Sequence, residues 1–479
     1  MNATTGNSSH DGAREVDWVA LAPEGGERIP ELLESLAGSD AALSELHDII
    51  HFPAPGHRAA PRAVDFLVDI ACSPQTPVID RWRPLSLLLE LVSGHAEDRF
   101  PRPRDLQQWR DEVAWVTSND AEKVREQYRT WMAEAPDEQQ YRRMRNRLAV
   151  LEEPDGAAVL QAELDTHEAI RARVTDLVTL LRGSGNRGGL DRAGEWVSYV
   201  LAFLHEDAEF IAAEITGASQ FLLAKDLRGT PPAPTSYSEL RNGIDNGEPL
   251  AAELFALGLL ASPEDTDTTV ALAHEMAGGN LYNAFAASVA MVLIHGENTP
   301  REGLRRIGRG GGTHVGYEGL FNESWPHCGT RSPQVLGFLA LGRAGDRARR
   351  LRLDMLPGLI KGEPASRALV TGVGLEMVLG PRCREYSAEE HARADYDEET
   401  LKVLWAIAEL PASAWEDAEF TDTLRAWALP EDPQEFCELV GVEPEPAEPE
   451  AAETPEAGPG NRAAERGGLL GRLFGGRQG

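Results

Sequence analysis

Two copies of one helical pattern lie in tandem between Leu250 and Gly380, and a tandem apolar repeat limits what a chain can fold into more than any single motif does. The first copy, LAAELFALGLLASPEDTDTTVALAHEMAGGNLYNAFAASVAMVLI, predicts an apolar helix, an acidic turn, a second helix, a Gly-Gly stop and a third helix. The second, SPQVLGFLALGRAGDRARRLRLDMLPGLIKGEPASRALVTGVGLEMVLG, keeps that order with a Gly-Asp turn and a Lys-Gly-Glu-Pro break. In the third helix of the first copy Leu281, Phe285, Val289 and Val292 fall at i, i+4, i+8 and i+11, on one face. Such a face has to be buried on a neighbour. Helix pairs of ~35 to 45 residues that stack through these faces make an α-solenoid. The predicted fold class is all-α, mostly helix and essentially without sheet, because no alternating apolar run of strand length stands out.

At 479 residues the chain exceeds the ~250 to 300 at which a single core stops growing, and a repeat array accommodates that length. The composition, 42% hydrophobic and 26% charged, is that of a soluble globular protein. No stretch approaches the ~20 apolar residues of a membrane span, and the start MNATTGNSSH lacks the order of a secretion signal, so the expected location is the cytoplasm. Cys72, Cys328, Cys383 and Cys437 form no C-x-x-C pair, which suggests neither a disulfide framework nor a thiolate zinc site. The net charge of -32 argues against nucleic acid, whose binding draws on Lys and Arg at phosphates. It favours basic protein partners instead. The scarcity of Lys beside abundant Ala, Gly and Arg suggests a GC-rich bacterial coding bias.

Along the chain, Val16-Asp17-Trp18 leads to a helix at Ile29-Pro30-Glu31-Leu32-Leu33, with Leu36 continuing its face. In SDAALSELHDIIHF, Ser39 or Asp40 is placed to cap a second helix whose Leu43, Leu46 and Ile50 fall at i, i+3 and i+7. GHRAAPRAVDFLVDIACS follows with Pro61 early in the helix, where its missing N–H does no harm, and RWRPLSLLLELVSGH has Pro84 in its first turn. In this order DW, IPELLESL, ELHDIIH and AVDFLVDIA resemble the opening of bacterial HEAT-repeat proteins, with helices of the patterns P-x-L-L-x-x-L and V-P-F-L-x-x-L-A. The resemblance covers the N-terminal hundred residues or so and, more loosely, the helix pairs from Asp191 to Gly441. It implies a right-handed α-solenoid of HEAT-like antiparallel helix pairs, and protein recognition as the usual role of that fold. Where such proteins often have a His-Gln-Gly turn, this chain has HFPAPGH.

The organisation expected is a polar, disordered start (1–14), N-terminal repeats (15–95), an irregular helical connector (96–190), C-terminal repeats (191–441), a Pro/Glu/Ala linker (442–466) and a tethered apolar and Arg-containing peptide (467–479). Two long polar helices are expected in the connector, around Asn119 to Ala135 and Asp137 to Glu153. The Arg142, Arg143, Arg145 and Arg147 cluster in the second is expected to be a solvated basic face.

Three constellations bear on chemistry. His47-Asp48-Ile49-Ile50-His51, followed by His57, has the histidine spacing of the metzincin motif, but Asp48 stands where the general-base Glu belongs and Ala54 where the turn Gly belongs. These read as helix-end histidines, with no catalytic zinc and no copurifying metal expected. The Gly-rich loop Arg305 to Thr330 gathers Arg305, Arg306, Arg309, His314, Tyr317, Glu318, Glu323, His327 and Cys328. Its spacing fits neither a P-loop nor a dinucleotide fingerprint, which leaves a mobile connector or a contact loop for an anion or peptide. Finally, Leu469, Leu470, Leu473 and Phe474 are the first large apolar side chains after Val442, and with Arg472 they make a small face suited to docking on a protein. An interfacial helix on a membrane is the competing use of such a tail. These readings predict a non-catalytic interaction scaffold without cofactor; an immunity protein that wraps a toxin's basic surface and an enzyme centred on the 305–330 loop are the alternatives.

Overall fold

The computed structural model describes residues 12–93, 105–136, 138–183, 193–218, 251–278, 281–310, 332–382, 387, 390–391 and 394–442. Of these 81% are helical and none is in a strand. The N-terminal helices are α1 (Trp18–Leu21), α2 (Ile29–Ser35), α3 (Asp40–Ile50), α4 (Ala60–Cys72) and α5 (Trp82–Ser93). The stretch expected as a connector adds α6 (Leu106–Ser118), α7 (Ala121–Ala133), α8 (Glu138–Glu152), α9 (Gly156–Ala172) and α10 (Val174–Gly183). Then come α11 (Ala193–Ala202) and α12 (Ala208–Ala218). The doubled stretch forms α13 (Ala251–Leu260), α14 (Thr266–Ala277), α15 (Leu281–His295), α16 (Arg301–Gly310), α17 (Pro333–Leu341), α18 (Asp346–Gly362) and α19 (Arg367–Leu379). Four helices close the described chain: α20 (Glu398–Ala408), α21 (Ala412–Trp415), α22 (Ala418–Arg425) and α23 (Pro433–Val440).

Helix starts are decided locally. Asp17, Ser39, Asp105, Asp120, Asp265, Ser332, Asp397, Asp417 and Asp432 each accept a first-turn N–H through the side chain. Each such cap is worth about 1 kcal/mol, and the seven aspartates also complement the helix dipole. Part of the net negative charge therefore has a structural use. At the N-terminus Ala13 is already buried and its carbonyl accepts from Trp18 Nε1 at 2.6 Å, so the fold begins ahead of the expected boundary.

Packing joins α4 to α5 and α9, α5 to α11, α11 to α13, α13 to α15, α15 to α16 and α17, α18 to α19 and α20, and α20 to α23; the contacts of α4 with α9 and of α5 with α11 bridge the stretch expected as a connector, and the later ones join helices near in the chain. Two of these stacked pairs run the same way. The ion pairs Arg349 with Glu399, Lys402 with Asp354 and Lys361 with Glu409 climb α18 and α20 together, and Tyr199 of α11 packs near Phe255 of α13 at 6.2 Å between ring centroids. Gly337, fifth in α17, lies on Phe285, fifth in α15, where an added Cβ would come within 3.2 Å of the ring, and further on Arg343, just past α17, donates to the Leu293 carbonyl of α15 at 3.2 Å, so this pair runs the same way too. One core runs from Ala13 to Val440, and a smaller one gathers Val124, Tyr128, Met144 and Leu160 beside it.

The one-sided apolar stripe expected for α15 is not what the structure has. Leu281 is 36% exposed, while residues 283–294 are buried on every side of the helix, as are all residues of α11 and α13. Small side chains make this possible by letting backbones approach closely. A Cβ on Gly258 of α13 would stand 2.5 Å from Ala290 Cα of α15, which only glycine avoids.

A second long-range contact is ionic. Glu138, the first residue of α8, is fully buried, and its carboxylate accepts from Arg142 Nε at 2.8 Å and from Arg382 Nε and Nη2 at 2.6 and 2.8 Å. Arg382 is sandwiched between Tyr141 and Trp427, 4.1 and 5.1 Å from their ring centroids. Arg142 also reaches Glu419 and Thr423 of α22. Gly372 of α19 admits the carboxylate, since a Cβ there would lie 3.0 Å from Glu138 Oε1. The arginine cluster of α8 is therefore not a solvated face: Arg142 and Arg147 are 1% and 3% exposed, because carboxylates from other helices desolvate and pair them.

Replacing Glu138 with Ala takes the carboxylate from partly buried Arg382 and one of two from buried Arg142, and is expected to cost about 3 kcal/mol in urea unfolding. Gly258→Ala gains helix propensity but forces α13 and α15 apart, for an expected net loss of about 1 to 3 kcal/mol. An unchanged denaturation midpoint in either variant would contradict the packing described.

Candidate functional site

The histidine constellation is split by its own helix end. His47 and His51 share a face of α3 and stack, with ring centroids 4.6 Å apart and planes 13° from parallel. Burial first, and the neighbouring His51 second, lower the His47 pKa, against the weaker pull of Asp48. His57 does not return to them. It is buried, packs edge-on to Phe52, and lies with Nδ1 2.8 Å from the Ile50 carbonyl, which can only accept, so Nδ1 carries the proton. The glycine that this turn requires is Gly56, where a Cβ would sit 2.3 Å from the Ile49 carbonyl oxygen. Among the described residues no three His, Cys, Asp or Glu side chains gather in a way that would hold a metal.

Perturbed titratable groups mark a second cluster. Glu112 of α6 accepts from Tyr128 at 2.5 Å and pairs with Arg143 and Arg147, and Arg147 also pairs with Glu163 at 3.1 Å. Desolvation pushes Glu112 upward, yet Arg147, Arg143 and the Tyr128 hydroxyl outweigh it and hold the carboxyl below its ordinary range. Burial, then the charge of Glu112, raises the Tyr128 phenol. Every charge here is answered from within the cluster, which is the arrangement of a structural network.

The two described thiols are shifted away from the reactive thiolate. Burial first and Asp176 second push Cys72 up to about 11, and burial also raises Cys437; both are free, while Cys328 and Cys383 lie outside the described residues.

The Gly-rich loop is described only at its start, as α16. Positions 311–331, with His314, Tyr317, Glu318, Glu323, His327 and Cys328, lie outside the described residues. What α16 contributes is an exposed stripe, Arg301, Arg305 and Arg309, at i, i+4 and i+8. Beside it runs α18: Arg347 donates to the Glu297 carbonyl just before α16, and a Cβ on Gly308 would touch Leu351 at 3.3 Å. Arg347 and Arg350 are exposed there, one residue from the junction in the case of Arg350. Arg352 lies over the Phe338 ring at 4.7 Å, and its burial lowers its pKa to about 10. The docking residues expected in the tail, Leu469, Leu470, Arg472, Leu473 and Phe474, also lie outside the described residues.

One row of polar residues escaped the sequence reading. Glu195, Glu253, Asn283 and Gln334 occupy the first turns of α11, α13, α15 and α17, and the first three are buried. All four have interaction partners in the chain. The signal was an acid or amide at the second or third position of otherwise apolar helices, as in AGEW, AAEL, LYNA and PQVL. No protein family, no curated protein and no solved structure matches the chain.

The depressed Glu112 gives a pH dependence with a definite sign. Its stabilisation is present above the ordinary Glu value of 4.5 and is lost as pH falls through the lower folded value. Glu112→Gln is expected to flatten the melting-temperature profile below pH 4.5 and to cost about 1 to 3 kcal/mol at pH 7, because Arg143 and Arg147 lose a partner. A profile as steep as that of the parent would rule this out.

Proposed function

We propose that the chain is a non-catalytic interaction protein, built as a HEAT-like α-solenoid that presents an acidic surface to basic protein partners and carries a docking peptide at 467–479. The observation that carries the reading is the common direction of two stacked pairs: α18 with α20 through three climbing ion pairs, and α15 with α17 through Gly337 on Phe285 and Arg343 on the Leu293 carbonyl. Equivalent helices of successive repeats stack in this way. The titratable groups support a binding role over catalysis. Glu112, Tyr128 and Arg147 are engaged with one another and with Glu163, and the described thiols are shifted away from the thiolate. No helix among the described residues is long and apolar enough to cross a membrane. The cytoplasm is the location that accords with reduced cysteines and a protein partner.

The test is full-length protein carrying Leu473→Asp and Phe474→Asp, compared with the parent in affinity capture and in liposome flotation. Removing two buried apolar contacts is worth more than 1.4 kcal/mol, so recovery of the tail-dependent partner should fall at least about tenfold. Unchanged recovery of every partner would sink the docking peptide, and flotation of the parent alone would reassign it to lipid.

A further inference from the structure

The arginines of α16 and α18 differ from those elsewhere in the protein. Among the described residues, the exposed arginines outside this region are Arg14, Arg28, Arg62, Arg182 and Arg425, and all but Arg62 pair with a carboxylate. On α16 and α18 the proportion is reversed. Of Arg301, Arg305, Arg309, Arg347 and Arg350, only Arg305 has an acidic side chain within ion-pair distance, Glu302 at 3.3 Å. Of the other described acids on these elements, Asp354 binds Lys402, the Glu297 carboxylate lies beside Gly345, and Asp346 is exposed at the start of α18. In a chain with 78 acidic and 46 basic residues, a group of exposed arginines mostly without carboxylate partners is a local cationic patch on an acidic protein.

We propose that this face is the docking site of the protein's own acidic segment, residues 443–456, which lies outside the described residues. The segment reads EPEPAEPEAAETPE, six glutamates in fourteen residues with no Lys or Arg among them. Its start is placed for the contact. Val442 follows α23, which packs on α20, where Trp405 Nε1 donates to the Val440 carbonyl at 3.3 Å, and α20 packs on α18. Two to three interaxial spacings of 8 to 10 Å make roughly 30 Å to be crossed, and fourteen residues of extended Pro-rich chain reach about 43 Å. A tethered segment meets the face at millimolar effective concentration, which a free acidic peptide does not match. Carboxylates spaced two or three residues apart suit arginines distributed over two packed helices better than a single pocket. The contact is salt-sensitive, as expected of exposed ion pairs. Its consequence is regulatory: docking of 443–456 holds 467–479 near α18, and an acidic competitor or high salt releases it. The latch does not depend on the scaffold reading.

The test uses the full-length chain with a photo-crosslinking amino acid at Ala451. At 50 mM NaCl, irradiation is expected to give intramolecular crosslinks to peptides of α16 and α18, reduced at least fivefold at 500 mM NaCl. Arg305→Glu, Arg309→Glu and Arg350→Glu together should abolish them while leaving the circular dichroism unchanged, since all three side chains are exposed. Adding Glu448→Arg, Glu450→Arg and Glu453→Arg to that variant should restore the crosslinks, which a merely misfolded protein would not do. Crosslinks to other helices, crosslinks only between copies, or a yield insensitive to the triple reversal would each overturn the proposal.

Discussion

The carboxylate of Glu138 ties the middle of the chain to its C-terminal part through Arg382, 244 residues further along. Burying an ion costs several kcal/mol, and the attraction of one partner rarely offsets it. Here both oxygens meet the fork of Arg382 and one also meets Arg142, while Tyr141 and Trp427 cover the Arg382 guanidinium. Such a site contributes specificity more than net stability. Only one placement of α8 against α19 and α22 satisfies it, because Gly372 is the gap through which the carboxylate enters.

Between the two ends of that contact the helices are held by apolar packing, and the limiting quantity is backbone separation. Gly258 against Ala290, and Gly337 against Phe285 and Ile307, bring helices closer than larger residues allow. Close approach gives each inner helix neighbours on all sides, so α11 and α13 lose the solvated face that an amphipathic helix keeps. Their first-turn polar residues, Glu195 and Glu253, are then buried too and take partners within the chain. The same packing leaves the outer helices to carry the charge. Aspartates cap helix starts, ion pairs lace α18 to α20, and among the described residues the exposed arginines of α16 and α18 are mostly without a carboxylate partner.

The sequence by itself determined what is local. Ser39 caps α3 and Pro61 enters α4 at its start, because capping and proline geometry involve only residues within one turn. Helical periodicity likewise excluded sheet from the described residues. The HDIIH spacing correctly placed His47 and His51 on one face, since i and i+4 are neighbours on any helix. Tertiary structure decided what depends on distant partners. Arg142 in sequence is one of four arginines on a polar helix, and nothing within the helix indicates that Glu419, far along the chain, will bury it. Whether Leu281 or Ala290 faces a neighbour depended on how near α13 could come, which Gly258 set from another helix. Which arginines stay unpaired was also beyond the sequence, because an ion pair is a distance between two side chains and composition supplies only their number.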